Sequence, residues 1–417
     1  MKQKVIIYGL GNCWDDHWQE IAKDYDISCC IDKNIEKKIN TKGFRFDTPD
    51  QIINYEYEKL IICAYGVGIG IREEIILLWD IPLHKIYYFS ELFYNSGIRS
   101  EQRICQHNYM LTIVIPTFNR RDRLIRTLEI LSRQTCKNFN IIILDNASDY
   151  DVTEILKRWE RQFGSKVEIR RNLSNIGMQG NLAMLFLQVG QGWMWTLSDD
   201  DIPSVYAVET IMREIEKNND VGVFWFSIYD IKKYLNEDGR CIRNLTELAE
   251  FYQRLDDIDK GFIEGDFIYL SNKVYNVQNI KEYSEKVFTY LYTGIPQLMP
   301  ILHLLNDKKS QLVISNKKIV AYASPEGDHW DWLKVALGMS TITDIPLEYA
   351  NNEVRKTLYH MIMLKPKDVL NAARQDITCE KLMILEKLYH NIYKVYLDEK
   401  ESKKYLKELS LMKQFMP

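Results

Sequence analysis

Apolar runs broken by short polar stretches divide the chain into strands and amphipathic helices. Val5–Tyr8, Ile27–Ile31 and Leu60–Ala64 are apolar runs, and each is followed by glycines or a carboxylate. Runs of this length bounded by turn residues read as buried strands. From Leu111 the alternation becomes regular. Leu111–Ile115, Ile141–Leu144, Val167–Arg170 and Trp193–Leu197 read as strands, with helical stretches at Arg121–Gln134, Asp151–Phe163 and Met178–Val189 between them. Leu124, Leu128 and Leu131 share one face of the first helix. Val221–Ser227 is a further strand, and the segment 240–259 is polar without a clear period. Strands alternating with helices in this way predict an α/β fold with a parallel sheet. Residues 345–417 read as helical, with Leu385, Leu388, Tyr389, Ile392 and Tyr396 at helical spacing. The pattern divides into a small α/β module at 1–100, a linker at 101–110, a larger α/β domain at 111–340 and a helical region at 341–417.

Composition narrows the class. With 417 residues and 46% apolar content, the chain has room for two or three cores. The net charge of -4 offers no global basic field, so nucleic acid is not an expected partner. The eight cysteines include no C-x-x-C pair, which argues for buried free thiols in a reducing cytoplasm and against a zinc site. The first residues run straight into a strand and do not read as a signal peptide. No apolar run reaches the roughly 18 residues of a membrane span. Residues 351–417 carry 13 basic and 9 acidic side chains. That tail fits helix packing or homo-oligomerisation better than peripheral contact with a membrane surface, although a mildly basic amphipathic tail suits both.

Candidate chemistry collects where strands end. The first strand runs into Gly9-Leu10-Gly11, and Asp32 follows about twenty residues later, the spacing of a ribose-binding acid in a Rossmann-like module. Trp14 stands where the third glycine of G-x-G-x-x-G belongs, which favours a structural module over a cofactor site. In the larger domain the strand ends carry Thr117 and Asn119, Asp145 and Asn146, Asn175, and then Asp199, Asp200 and Asp201. Parallel sheets bind ligands at the carboxyl ends of their strands. Three adjacent carboxylates repel one another unless a cation sits among them. Hard oxygen ligands suit Mg²⁺ or Mn²⁺ held together with substrate phosphates. A solvated acidic turn capping a helix near Ser204 is the other reading of the triplet taken alone.

The segments Ile115–Arg120, Leu144–Asp149, Asn172–Gly177, Asn181 and Ser198–Asp201 stand in the order of a glycosyltransferase family 2 catalytic domain. The chain resembles that family specifically over about 111–230 and more loosely to about 340, and most resembles bacterial enzymes that build O-antigen, capsule and similar surface glycans. Residues 1–100 resemble the nucleotide-binding-like modules fused to several bacterial polysaccharide-assembly enzymes. The resemblance implies a GT-A fold and an inverting transfer from a nucleotide-diphosphate sugar, by default UDP-linked, to a glycan or lipid-linked acceptor. It implies that Pro116, Thr117, Asn119 and Arg120 line the nucleotide pocket and that Asp145 accepts a base N–H, with Asn146 and Ser148 shaping the same loop. Asn175, Gly177 and Asn181 would place a loop and helix beside the donor. Asp199 would approach the ribose, Asp200 would be the less direct middle member, and Asp201 would bind the metal.

The acceptor half departs from the family pattern. Many relatives carry a Glu-Asp pair about where this chain has Tyr292-Thr-Gly-Ile-Pro-Gln297, and no carboxylate stands there. An inverting transfer needs a base within hydrogen-bond reach of the acceptor hydroxyl. The candidates are Asp328 and Asp331, then Asp266, with Glu264 and His303 behind them. His303 sits in an apolar helical stretch and reads better as a core histidine. His329 is a candidate for the metal or diphosphate, beside tryptophans suited to stacking on a sugar. A transferase-like scaffold that has lost catalysis is the alternative, supported by the missing pair.

Overall fold

The computed structural model describes residues 2–64, 68–94, 109–163, 166–236, 239–322 and 331–414. Five strands come first: β1 (Lys4–Tyr8), β2 (Asp26–Ile31), β3 (Phe46–Asp47), β4 (Lys59–Ile62) and β5 (Ile86–Tyr88). They form one parallel sheet in the order β3-β2-β1-β4-β5. Val5, Ile6 and Ile7 are all fully buried, so both faces of β1 are covered and its sequence need not alternate. The chain leaves β1 through Gly9 at φ +96°, where a side chain would meet the Cys63 carbonyl at 3.3 Å.

Trp14 is fully buried and its Nε1 donates to the Asn40 carbonyl at 2.7 Å. Asp32 accepts from the backbone N–H of Leu10 at 2.8 Å and of Asn34 at 2.9 Å. The carboxylate spaced for a ribose thus ties the glycine turn to its own loop. The described cysteines are free thiols.

The second sheet has eight strands. They are β6 (Leu111–Thr117), β7 (Asn140–Asp145), β8 (Val167–Arg171), β9 (Trp193–Thr196), β11 (Val223–Phe226), β12 (Arg240–Ile242), β13 (Lys273–Asn276) and β14 (Leu312–Ser315), while β10 (Ile202–Pro203) pairs with β15 (Val320–Ala321) outside this sheet. The order is β12-β14-β11-β13-β9-β6-β7-β8. β9, β6, β7 and β8 are parallel, and β13 runs antiparallel to β9 and β11. The chain moves outward from β6 through β7 to β8, then returns to lay β9 on the other side of β6. That reversal opens a crevice at the carboxyl ends of β6 and β9, where parallel sheets bind ligands.

The helix Arg121–Ser132 buries Leu124, Leu128 and Leu131 as its apolar spacing predicts. The acidic triplet does not lead directly into a helix: Ile202–Pro203 is a strand, and the next helix is Ala207–Lys217. The segment 240–259, without a clear period in sequence, contributes β12 and the helix Leu245–Gln253, whose N-terminus is capped by Asn244. The C-terminal region is built from the helices Trp332–Met339, Asn352–Ile362, Pro366–Arg374, Cys379–Leu388 and Glu399–Gln414. Leu385, Leu388 and Ile392 are fully buried. One continuous apolar core joins these helices to the sheet, running from Val114 to Met412. Among the described residues, no helix is long and apolar enough to cross a membrane.

Candidate active site

Strand register brings the polar ends together. Thr117 on β6 pairs with Asp145 on β7, and Asp145 pairs with Arg171 on β8. Across the crevice, the Thr117 hydroxyl donates to Asp199 Oδ2 at 2.6 Å. The helix that follows β6 grips the same turn. Thr127 Oγ1 donates to the Asp199 carbonyl at 2.9 Å and Arg126 Nη2 to the Asp200 carbonyl at 2.6 Å.

The three carboxylates have different partners. Arg120 Nη1 lies 3.2 Å from both Asp199 Oδ1 and Asp200 Oδ2, and Arg123 lies 3.8 Å from Asp200. Ser198 Oγ also donates to Asp200. Asp201 Oδ2 accepts from Ser271 Oγ at 2.5 Å. Burial pushes the Asp199 carboxyl above the ordinary carboxylate range, with the Arg120 charge opposing the rise and Asp200 adding to it. Arg120 and Arg123 bring positive charge to Asp199 and Asp200. Among the described residues no three of His, Cys, Asp and Glu converge as a ready cation cage. Mg²⁺ is commonly held by one or two carboxylates together with substrate phosphates, and Asp201 with a diphosphate would fit that donor set.

On the other side of Thr117, Asp145 is fully buried. It accepts from Ser148 N at 3.0 Å and from Arg171 Nη1 at 2.5 Å. Ser148 Oγ in turn accepts from Asn119 N at 2.9 Å, and Asn119 takes a left-handed φ of +53°. Asn146 is the hub of the next loop. Its Nδ2 donates to Asn175 Oδ1 at 2.8 Å, and its Oδ1 accepts from Asn172 Nδ2 at 2.9 Å and Ile176 N at 3.1 Å. Asn172 also donates to Asn181 Oδ1 at 3.0 Å. The asparagines therefore fold the loop before the helix Gly177–Met184.

A cavity of about 610 Å³ opens among these elements. Pro116, Thr117, Arg120, Asn146, Asn175, Gly177, Asn181 and Asp199–Asp201 line it. Asn119, Asp145 and Ser148 stand behind the lining, where they shape the loops. The far half is built from Ile268 and Leu270 together with residues that the sequence did not single out, among them Leu182, Val335, Met339 and Leu364. Tyr229, Tyr269, Tyr322 and Trp332 add aromatic surface. The Tyr269 hydroxyl lies near Asp201, and burial together with that charge keeps its proton on. Arg171 was also overlooked. Its position one residue past the sequence-read strand Val167–Arg170 was the available signal, and the register with Asp145 comes from the fold.

The candidate bases fare differently. Asp266 is fully buried, outside the lining, with its carboxylate accepting from Trp225 Nε1 at 3.1 Å, Ile228 N at 3.2 Å and Asn272 Nδ2 at 2.6 Å. It is corrected from candidate base to structural carboxylate, since its oxygens are taken and solvent does not reach them. Asp331 caps the helix Trp332–Met339 by accepting from Lys334 N at 3.2 Å, with Trp332 beside it in the cavity wall. Asp328 and His329 lie outside the described residues. Glu264 accepts from the Tyr252 hydroxyl at 2.7 Å. His303 is buried between the rings of Tyr283 and Tyr290, as a core histidine would be.

Comparison with known proteins bears on this geometry. Residues 112–282 match the family model described as glycosyl transferase family 2, and residues 1–87 match one described as C2185-like, N-terminal. An uncharacterized glycosyltransferase of Haemophilus influenzae is 28% identical over 116 residues, which is 28% of this chain and 38% of that protein. The abequosyltransferase RfbV of Salmonella typhimurium is 27% identical over 220 residues, 51% of this chain and 66% of that protein. The chain thus spans less than two thirds of either curated relative. The structure of S. aureus TarS 1–349 in complex with UDP-GlcNAc shares 14% identity at a TM-score of 0.48, covering 73% of this chain and 92% of that one. The family match and the order of the strand-end residues agree, so residues 112–282 read as a glycosyltransferase family 2 domain.

Proposed function

We propose that the protein is a metal-dependent, inverting glycosyltransferase. It moves a sugar from a nucleotide-diphosphate sugar, UDP-linked by default, to a glycan or lipid-linked acceptor of a bacterial surface polysaccharide. It does so in the cytoplasm or at the inner face of the membrane. The observation that carries this reading is the bond from Thr117 to Asp199 across the crevice, which sets Asp199–Asp201 into the wall of one cavity with Asn146, Asn175 and Asn181. The name of the Salmonella relative, an abequosyltransferase, supports sugar transfer.

Each side chain has a task in such a transfer. Pro116, Thr117 and the Asn146–Asn175 loop hold the nucleotide, with Asp145 and Ser148 fixing the loop from behind. Asp199 would meet the ribose, and Asp201 would hold a divalent cation, which would supply Lewis-acid charge to the departing diphosphate. Arg120 screens Asp199 and Asp200 from one another and from the incoming phosphates. The anomeric carbon loses its bond to the diphosphate oxygen as it gains one to the acceptor oxygen, whose proton passes to a base. Asp328 or Asp331 is the base in this reading, and His329 would reach the metal or diphosphate.

A second reading has its own observation. Among the described lining residues, the only carboxylates are those of the triplet. A transferase-like scaffold without a base would look the same.

One experiment separates them. Thermal shift against a panel of nucleotide sugars, with and without Mn²⁺, selects the donor, and nucleotide release is then followed for the wild type and Asp201→Ala. Loss of at least about a hundredfold in release is expected. An unchanged rate in Asp201→Ala overturns the metal reading, and stabilisation by donor without any turnover favours the scaffold.

A further inference from the structure

The turn between the helix Asp257–Ile268 and β13 is tied down by a buried lysine. Lys273 opens β13 and is fully buried, where lysine is seldom found unpaired. Its Nζ donates to the Asp266 carbonyl at 3.0 Å, the Tyr269 carbonyl at 2.9 Å and Asn272 Oδ1 at 2.6 Å. The Asp266 carboxylate closes the other side through Trp225, Ile228 and Asn272. The turn so held is bonded to β9, with Trp195 Nε1 donating to the Ser271 carbonyl at 2.7 Å and Thr196 Oγ1 to the Leu270 carbonyl at 2.9 Å. At its tip stands Ser271, also fully buried. The Ser271 hydroxyl accepts from Ser198 N at 2.8 Å and donates to Asp201 Oδ2 at 2.5 Å. A hydroxyl anchored by a backbone N–H on one side and bonded to a carboxylate on the other sets that carboxylate's direction as well as its distance.

We propose that Ser271 is the positioning residue of Asp201, and that Lys273 is the buried clasp that keeps Ser271 in place. This rests on the reading of Asp201 as the carboxylate that meets the cation and diphosphate. Pinning one oxygen limits how the whole carboxylate can turn, and Mg²⁺-like ions demand near-ideal geometry. Groups that orient a metal ligand commonly account for about 10- to 100-fold in metal affinity. Neither residue lines the cavity, so the nucleotide's own contacts are left intact when they are changed.

The test is calorimetric titration of UDP into the full chain, with and without MnCl₂, together with Mn²⁺ binding followed by electron paramagnetic resonance. The variants are Ser271→Ala, Ser271→Thr and Lys273→Met. Ser271→Ala is expected to weaken Mn²⁺-dependent UDP binding about 10- to 100-fold while leaving Mn²⁺-free binding unchanged. Ser271→Thr, which keeps the hydroxyl, should recover most of the loss, and Lys273→Met should reproduce the selective loss. If Lys273→Met does not fold, the two Ser271 variants decide alone. Equal losses with and without Mn²⁺, or no loss, overturn the positioning role. Wild-type UDP binding that is indifferent to Mn²⁺ overturns instead the assignment of Asp201, and this inference falls with it.

Discussion

Three identical residues in a row acquire three different environments here. Asp199 is locked between Thr117 and Arg120, Asp200 is shared by Arg120 and Ser198, and Asp201 is held by Ser271. What a carboxylate can bind depends on which of its oxygens are already taken. A buried histidine is governed by similar considerations. His303 is 5% exposed and its Nε2 has no partner among the described residues. Burial lowers its pKa from the ordinary value, Lys286 lowers it further and Asp307 opposes. The unfolded chain takes up a proton near pH 6.5 and the folded chain resists it. Stability from this group is therefore complete above about pH 6.5 and declines as pH falls below it. His303→Phe keeps a ring between Tyr283 and Tyr290 and removes the titration. The melting temperature of the wild type should fall more than that of His303→Phe between about pH 7.5 and about pH 5.5, and equal falls would rule this out.

At the scale of the element, Trp14 occupies the position that a third glycine holds in a dinucleotide-binding turn. The helix Asn12–Asp24 packs on the first sheet through Trp14, Cys13 and Ile21. In a dinucleotide fold the third glycine lets a pyrophosphate and the helix approach closely. Here the indole fills that space and ties itself to Asn40. Trp14→Gly restores the glycine pattern but empties a core site. The variant should lose about 3–5 kcal/mol by urea denaturation and gain no calorimetric NAD(H) binding. A stable variant that binds NAD(H) would show that the module is a masked cofactor site. The helix Arg121–Ser132 illustrates the converse, since its buried face builds the core while Arg126 and Thr127 reach the backbone of the triplet.

In the whole molecule, distant segments meet at the cavity and between the two sheets. Val335, Met339 and Leu364, from the C-terminal helices, join Met178 and Leu182 in the cavity wall. Arg133, at the end of the helix Arg121–Ser132, reaches the first module. Its guanidinium donates to Glu91 Oε1 at 2.6 Å, the Ile86 carbonyl at 3.1 Å, the Leu83 carbonyl at 3.0 Å and Glu129 Oε1 at 3.0 Å. Glu91 is fully buried, so removing its cation strands a charge, which costs about 3–5 kcal/mol. Arg133→Met should speed amide hydrogen exchange across residues 83–93 and leave β6, β7 and β9 protected. Unchanged exchange at 83–93 would show that the clamp is not what holds this module against the second sheet.

The chain's own order of apolar runs and polar breaks was enough to determine β6, β7, β8 and β9, the helices between them, and the strand-end residues Thr117, Asn146, Asn175 and Asp199–Asp201 that line the cavity. These are local properties: strand periodicity, turn chemistry and the position of a polar residue after an apolar run all lie within a few neighbours. The sequence offered Asp145 for a base N–H and Asp266 as a candidate base. Folding gave Asp145 to Arg171 and Ser148, and Asp266 to Trp225, Ile228 and Asn272. Ser271 meets Asp201 across 70 residues of chain, and Thr117 meets Asp199 across 82. The apolar far half of the cavity is likewise shared between segments far apart in the chain. Only the tertiary structure decided these pairings, because hydrogen bonds of about 3 Å are selected by three-dimensional register and packing, on which spacing along the chain is silent.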